Sequence, residues 1–320
     1  MMKLMRAMQK KSAESELELV RIPIPNPNEN QVLIEIDTCG VCNGDSVTIE
    51  GNAPQYPRIP GHEIVGEIVE KGTNVSKWNI GQRVGIGFHA GENQVNGLTI
   101  DGGYAEYMVA NSANIIEIPD SVDSAETSPL MCAGETTFSA LMNSIAKQGD
   151  LVGIQGIGGL GHLAVQFANK FGFETVAISR GSEKEELIQK LGADHYIDSS
   201  KTNVSEELQN LGGATVILTT VPNGRAIAPL LKGLKKDGQL MIVSGSNEKI
   251  DVSPSDLLGQ QISLKGSFTA GKKEIEKMLH FSILKNVKPL VEVFPLENAV
   301  EAYNKMKNSD VQFRAVLKIK

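Results

Sequence analysis

The stretch that most constrains this 320-residue chain is Gly156-Ile157-Gly158-Gly159-Leu160-Gly161, a turn of the form G-x-G-x-x-G. Before it, Leu151 to Gln155 is an apolar run suited to a buried strand. After it, Leu160, Leu163, Ala164, Phe167, Ala168 and Phe171 recur at helical spacing until Gly172, where a helix would stop. Glycine turns are common, but between a strand and a helix each glycine acquires a role. Gly156 permits the tight turn, Gly158 lets the backbone approach a pyrophosphate, and Gly161 lets the helix pack on the strand. With Gly159, they present free amides and the positive end of the helix to a dinucleotide's phosphates. Further strands are expected at Thr175 to Ser179, Ala214 to Thr220 and Gln239 to Ser244. Ser182 and Glu185 have the spacing of a capping box opening a helix that ends at Gly192. Repeated βα units of this kind predict an α/β fold with a doubly wound parallel sheet.

The end of the second strand bears on which dinucleotide is held. An NAD site usually places an acidic residue there, about 20 residues after the turn, to hold the ribose hydroxyls. This chain has Ser179-Arg180-Gly181-Ser182, with Lys184 following. A hydroxyl and a guanidinium suit the 2′-phosphate of NADP, so NADP is favoured over NAD. The competing reading makes Arg180 a surface charge and gives the ribose contact to Glu183.

The first third has a different texture. Short apolar runs (Gln31 to Thr38, Ile64 to Val69, Gln82 to Ile86, Tyr104 to Val109) are separated by Gly, Pro and Asn clusters, which predicts a β-rich domain. The net charge of −7 argues against a nucleic-acid partner. No apolar run approaches the roughly 20 residues that span a bilayer, and Met1 to Lys11 lacks the apolar core of a signal peptide. Three cysteines give no disulfide framework, so a reducing cytoplasm is the expected location.

Those cysteines fall in segments rich in zinc-type ligands. They are Cys39-Gly-Val-Cys42-Asn-Gly-Asp45 and Leu130-Met-Cys132-Ala-Gly134, with Gly61-His62-Glu63 between them. A catalytic zinc site needs three protein ligands and one open position. Cys42, His62 and Cys132 can supply the three, and Glu63 is close enough in sequence to approach the ion. Taken singly, Cys132 reads as a small buried hydrophobe and His62 as a structural histidine. A zinc ribbon would need a second CxxC, which is absent.

These segments resemble the zinc-dependent medium-chain alcohol dehydrogenases, especially the bacterial and cinnamyl-alcohol-dehydrogenase-like branch. Cys39-Gly-Val-Cys42-x-x-Asp45, Tyr56-Pro-Arg-Ile-Pro-Gly-His62-Glu63, Asp101-Gly-Gly-Tyr104-Ala-Glu-Tyr107 and Pro129-Leu-Met-Cys132-Ala-Gly-x-Thr136-Thr137 carry the likeness. The glycine turn, Gly266-Ser-Phe268 and Phe313-Arg314 extend it over nearly the whole chain. The resemblance implies a GroES-like β-rich catalytic domain (Met1 to Ala133, completed by Ser267 to Lys320) and a Rossmann domain between, 134–266. It implies one zinc on Cys42, His62 and Cys132, with Glu63 a transient replacement for substrate, and Asp45 holding the zinc-bound histidine. Thr136 would lie beside the nicotinamide, and Arg314 would reach toward cofactor phosphate. The expected reaction is hydride transfer between NADP(H) and an alcohol–aldehyde pair. The rivals are a zinc-free quinone or enone reductase and a non-catalytic dinucleotide-binding sensor.

Three departures stand out. Gly44 and Val47 occupy positions where members carry a proton-relaying hydroxyl and histidine, so water or Ser46 would have to move the proton. Asn43 stands where many members aim a basic residue at the pyrophosphate. The segment from His89 to Asp101 lacks the four cysteines of a structural-zinc lobe, so any homo-oligomer cannot rely on that lobe's contacts.

Overall fold

A computed structural model describes residues 3–320, so Met1 and Met2, where the first expected domain begins, lie outside the described residues. The chain divides into two compact units, one of Met1–Ala133 with Gly271–Lys320 and the other of Gly134–Ala270. The return to the first unit comes at Gly271 rather than at Ser267. Glu135 supplies the reason. Its buried carboxylate accepts Thr269 Oγ1 at 2.8 Å and Ala270 N at 2.9 Å, tying the end of the second unit to its beginning.

In chain order the first unit contains β1 (Leu4–Lys10), β2 (Leu17–Pro23), β3 (Gln31–Val41), β4 (Glu63–Lys71), β5 (Arg83–Ile86), β6 (His89–Gly91), β7 (Gln94–Val95), β8 (Tyr107–Asn111) and β9 (Ile116–Glu117). The second contains β10 (Leu151–Gln155), β11 (Glu174–Ser179), β12 (His195–Asp198), β13 (Ala214–Thr219), β14 (Leu234–Ile242) and β15 (Ser263–Gly266). The first unit resumes with β16 (Val291–Pro295) and β17 (Arg314–Lys318).

β3 organises the first unit. It pairs antiparallel with β4, β8 and β17 in a seven-stranded sheet. Its apolar residues Val32, Ile34, Ile36 and Cys39 are fully buried and share a core with Ile64, Ile68, Tyr104 and Leu317. The β1–β2 hairpin, which the sequence pattern did not disclose, adds Met5, Ala7, Met8 and Leu17 to that core. The register sets Gly40 opposite Glu63 across β3 and β4. Residues just after β3 and just before β4 therefore leave the sheet side by side. The stretch without the lobe cysteines folds as the small β6–β7 hairpin.

The second unit is a parallel sheet in the order β12-β11-β10-β13-β14-β15. That is the Rossmann order, reversing between β10 and β13, where ligands bind beyond the strands' carboxyl ends. The expected α/β class, GroES-like plus Rossmann, thus corresponds to one mainly antiparallel β unit and one parallel unit with helical crossovers. β10 and β13 are buried almost throughout, as parallel strands covered on both faces must be.

Two local expectations fail. β14 begins at Leu234, ahead of Gln239, because Asp237 takes a left-handed φ of 63° and a pairing irregularity lets the strand pass through polar Lys235-Lys236-Asp237. The capping box at Ser182 does not form. The helix Glu185–Lys190 has Lys184 at its N-cap without a side-chain cap, and Ser182 contributes only its carbonyl, to Glu185 N at 3.1 Å.

Ile217 is fully buried in β13, at the middle of the parallel sheet. Ile217→Ala is expected to destabilise the chain by about 2–5 kcal/mol, read from the urea unfolding midpoint. A change below about 1 kcal/mol would mean that this core yields more readily than its packing implies.

Candidate metal centre and cofactor turn

Cys42 follows β3, His62 precedes β4 and Glu63 opens it, while Cys132 comes from the turn after Pro129. Their ligand atoms all lie within 4.8 Å of one another, and they form the one such group among the described residues. The donor set is the soft thiolate and imidazole mixture that zinc takes. One atom tests the fit. His62 Nε2 is buried and makes no hydrogen bond, while Nδ1 lies 3.0 Å from Asp45 Oδ1. A buried polar atom without a partner is costly, and a ring nitrogen oriented from behind by a carboxylate is the usual arrangement of a metal-bound histidine. The residues fit a divalent ion.

Asp45 does more than orient one ring. Its Oδ1 also accepts Gly61 N at 3.1 Å, and its Oδ2 accepts Cys42 N and Tyr104 Oη, each at 3.0 Å. Four donors thus converge on a carboxylate that is 2% exposed. Two of them belong to ligand residues and a third to the residue before His62. Tyr104 was part of a recognised motif, but no role for it could be read from the sequence.

Glu63 is fully buried, and both of its oxygens accept from Arg314 Nη2, Oε1 at 2.6 Å. Arg314, expected to reach toward cofactor phosphate, is 3% exposed; its buried Nε makes no hydrogen bond, while its Nη2 is on Glu63. The reason is strand pairing: Ala315, its neighbour in β17, pairs with Val41 at the end of β3, so Arg314 arrives beside the ligand cluster. Gly40 makes the arrangement sterically feasible, since a Cβ there would stand 2.0 Å from Glu63 Oε2.

Protonation follows from these contacts. A hydrogen bond from Cys132, with His62 nearby, holds the Cys42 thiol well below its usual range against the effect of burial. Its bond to Cys42, reinforced by burial, pushes Cys132 well up. Burial disfavours the His62 imidazolium, but Asp45 and Cys42 outweigh it and raise the ring. Burial pushes Glu63 up to about 8, with Arg314 pulling the other way. The cluster thus favours one thiolate and a nearby cation, which is an electrostatic demand for positive charge among these donors.

Gly44 is exposed, and a Cβ there would meet the His62 ring at 3.0 Å. Ser46, the alternative relay, is half-buried. Val47 is 37% exposed. Cys39 is in the core.

The glycine turn follows β10 in the second unit. Gly156 has a φ of 87°, and its carbonyl accepts Thr220 Oγ1 at 2.7 Å. A Cβ on Gly161 would stand 2.0 Å from Gly156 O, whereas one on Gly158 would meet nothing. Tight turn, open approach and close packing are thus distributed over the three glycines in the expected order. Gly159 lies in the same turn, ahead of the helix Gly161–Lys170. His162, which matches no ligand position, shapes the turn through an Nδ1 contact with Gly158 O at 3.0 Å. Ser179 ends β11, Arg180 is exposed, and Lys184 Nζ donates to Ile157 O at 3.3 Å, bringing this charge to the glycine turn. Gly181 has a φ of 75°, and a Cβ on it would stand 2.1 Å from Glu183 Oε2. Thr136 is 6% exposed in the helix Ala133–Met142.

Comparison with known proteins bears on what such residues do. Residues 28–120 match the alcohol dehydrogenase GroES-like domain family, and residues 159–283 the zinc-binding dehydrogenase family. Alcohol dehydrogenase notN of an Aspergillus species is 40% identical over 305 residues, covering 90% of each chain. The chain belongs to the medium-chain alcohol dehydrogenase family. An alcohol dehydrogenase of Geobacillus stearothermophilus is 35% identical, covering 91% of this chain and 92% of its own. Among solved structures, the cinnamyl alcohol dehydrogenase of Helicobacter pylori, complexed with NADP(H), superposes with a TM-score of 0.86 at 26% identity. That likeness covers 100% of this chain and 99% of that one. As a family member the chain is an NAD(P)-dependent alcohol dehydrogenase. No helix among the described residues is long and apolar enough to cross a membrane.

Of the residues singled out from sequence, Cys42, His62, Glu63, Cys132 and Asp45 come together, and Arg314 joins them. In the other unit Lys184 reaches the glycine turn, with Ser179 at the end of β11 and Arg180 exposed after it. Tyr104 and Gly40 are additions, the latter announced only by its place between Cys39 and Val41.

Asp45→Ala leaves four buried donors without an acceptor and is expected to destabilise the chain by more than about 3 kcal/mol. Asp45→Asn, which keeps an acceptor oxygen, is expected to cost less. Thermal unfolding of both checks this, and equal stability of Asp45→Ala and wild type would remove the carboxylate from its central place.

Proposed function

We propose that the chain holds one zinc ion on Cys42, His62 and Cys132 and uses NADP(H) to interconvert an alcohol and its aldehyde. The observation that carries this reading is the buried, unpartnered His62 Nε2 beside two cysteine sulfurs, with Asp45 behind the ring. Bound there, zinc supplies Lewis acidity toward the oxygen of the alcohol or aldehyde. The nicotinamide supplies or accepts the hydride.

The remaining work belongs to the side chains. Asp45 fixes the His62 tautomer by accepting from Nδ1, which leaves Nε2 free as a ligand atom. The contacts that lower Cys42 favour its thiolate, and Cys132, raised by its bond to Cys42, would have to give up its proton to serve as a ligand. Glu63, restrained by Arg314, would be a further oxygen ligand held in reserve beside the site. Gly44 offers no hydroxyl, so the alcohol proton would leave through water reaching the exposed Gly44 or through Ser46. Thr136 would lie beside the nicotinamide. The first unit serves as the catalytic domain and 134–270 as the dinucleotide-binding domain. The soluble interior of a cell, with its reduced thiols, suits free cysteine ligands.

For the cofactor, Ser179, Arg180, Ser182 and Lys184 offer two hydroxyls and two cations to a 2′-phosphate, which NADP carries and NAD lacks. Glu183 opposes them, because its carboxylate lies against Gly181 within the same turn.

Metal analysis of protein purified without added zinc or chelator is expected to give about one zinc per chain. Cys42→Ala should abolish turnover while cofactor affinity, measured by fluorescence titration, stays nearly intact. A metal-free protein that takes up no zinc would move the assignment to a zinc-free quinone or enone reductase. Undiminished turnover by Cys42→Ala would remove the metal from the reaction.

Cofactor choice is tested separately. Glu183→Gln removes the opposing charge and is expected to raise NADPH efficiency several-fold, about 3- to 10-fold, with NADH less affected. A rise confined to NADH would assign Glu183 to repelling no phosphate at all.

A further inference from the structure

The turn Ser179-Arg180-Gly181-Ser182 is fastened from one direction. Tyr196 Oη donates to Gly181 O at 2.7 Å, and Gly181 N donates to Asp198 Oδ1 at 2.8 Å. Both side chains come from β12, the edge strand beside β11. Just beyond it, Ser199 N and Oγ both donate to Ser179 O, at 2.8 and 3.1 Å. Asp198 is itself fixed, since Oδ1 also accepts Ser200 N at 3.0 Å and Ser200 Oγ at 2.6 Å, and Oδ2 lies 3.2 Å from Lys201 Nζ.

These contacts are more than strand pairing. The ladder between β11 and β12 ends where Ser179 meets Asp198, and the bonds to Gly181 lie past that end. They hold both polar groups of one residue, at a φ of 75° that a free chain adopts only as one state among several. Every one of them engages turn backbone, and none uses the side chains of Arg180 or Ser182, which stay exposed. A backbone immobilised this way, with its ionic and hydroxyl groups turned outward, is preorganised for a ligand at the end of β11. In a Rossmann sheet that ligand is the substituent at the 2′ position of the cofactor's adenosine ribose.

We propose that Tyr196 and Asp198 are positioning residues for cofactor recognition, clamping Gly181 so that the turn meets the ribose 2′ substituent in a fixed shape. The inference rests on the reading of this turn as the part of the site that distinguishes NADP from NAD. Neither residue need touch the cofactor. Tyr196 acts through the Gly181 carbonyl and Asp198 through its amide.

The test uses the whole enzyme, with kcat and KM measured for NADPH and NADH at saturating aldehyde, alongside Tm. Tyr196→Phe removes one hydroxyl and keeps the ring. It is expected to move the NADPH to NADH efficiency ratio about 3- to 10-fold, the scale of one hydrogen bond, through KM and at unchanged kcat. Ser199→Ala keeps the backbone bond to Ser179 O and should move the ratio less than about 2-fold. The wild-type ratio reports on the cofactor reading separately. A preference for NADH would sink the NADP assignment, while a Tyr196→Phe shift in the ratio would still uphold the clamp. A ratio unmoved by Tyr196→Phe, or both KM values rising together with a lowered Tm, overturns the clamp whichever cofactor the wild type prefers.

Discussion

The carboxylate of Asp45 is the contact on which the ligand set depends. Cys42 and His62 stand apart in sequence and are carried at the ends of different strands, and strand pairing brings them only to the same edge of the sheet. Their relative orientation comes from one buried side chain that accepts the Cys42 amide, the Gly61 amide, the His62 ring and the Tyr104 hydroxyl. A carboxylate with four donors has its oxygens satisfied, and those bonds offset the cost of taking it out of water. The same anion favours positive charge at His62, whether carried as a proton or shared with a metal ion.

A second layer stands behind the first and depends on backbone register. Gly40 faces Glu63 because β3 and β4 pair as they do, and the absence of a side chain at Gly40 is what leaves room for the carboxylate. Arg314 reaches the same oxygens because β17 pairs with the end of β3. Burial raises the Glu63 carboxyl to about 8, and the guanidinium limits that rise. Arg314 thus belongs to the electrostatics of the ligand cluster. Its place behind Glu63 was hidden in the sequence, because a motif records which residue follows which and not which strand it pairs with.

Legibility in the sequence divides along the same line. The strand, turn and helix around Gly156 were legible because apolar period and glycine position are local properties, and so was the order of βα units that produces the parallel sheet. The clustering of Cys42, His62 and Cys132 was legible because few other roles fit the three together. Hidden features are those fixed by distant partners. Ser182 had the spacing of a cap, but the helix begins at Glu185, and the turn before it takes its bonds from β12. Tyr104 is tied to Asp45 across 59 positions. The start of β14 passes through charged residues because Leu234 and Gln239 pair with β13 on either side of an irregularity that leaves Lys235-Lys236-Asp237 without partners there.

The cofactor turn shows how far composition alone can decide selectivity. Arg180 and Lys184 favour a phosphate, but the turn also contains Glu183, and Asp198 holds its backbone. Counted as charges, these cancel. Their placement differs. Asp198 is engaged by Gly181, Ser200 and Lys201, so its charge is largely spent on groups within its own loop. Arg180 is exposed at the strand end. Glu183 is the acid whose oxygen lies against the turn itself, and Gly181 is what lets it approach. Discrimination at this site is therefore a contest between Glu183 and the two cations over a few ångströms, on a backbone whose shape is set by the neighbouring strand.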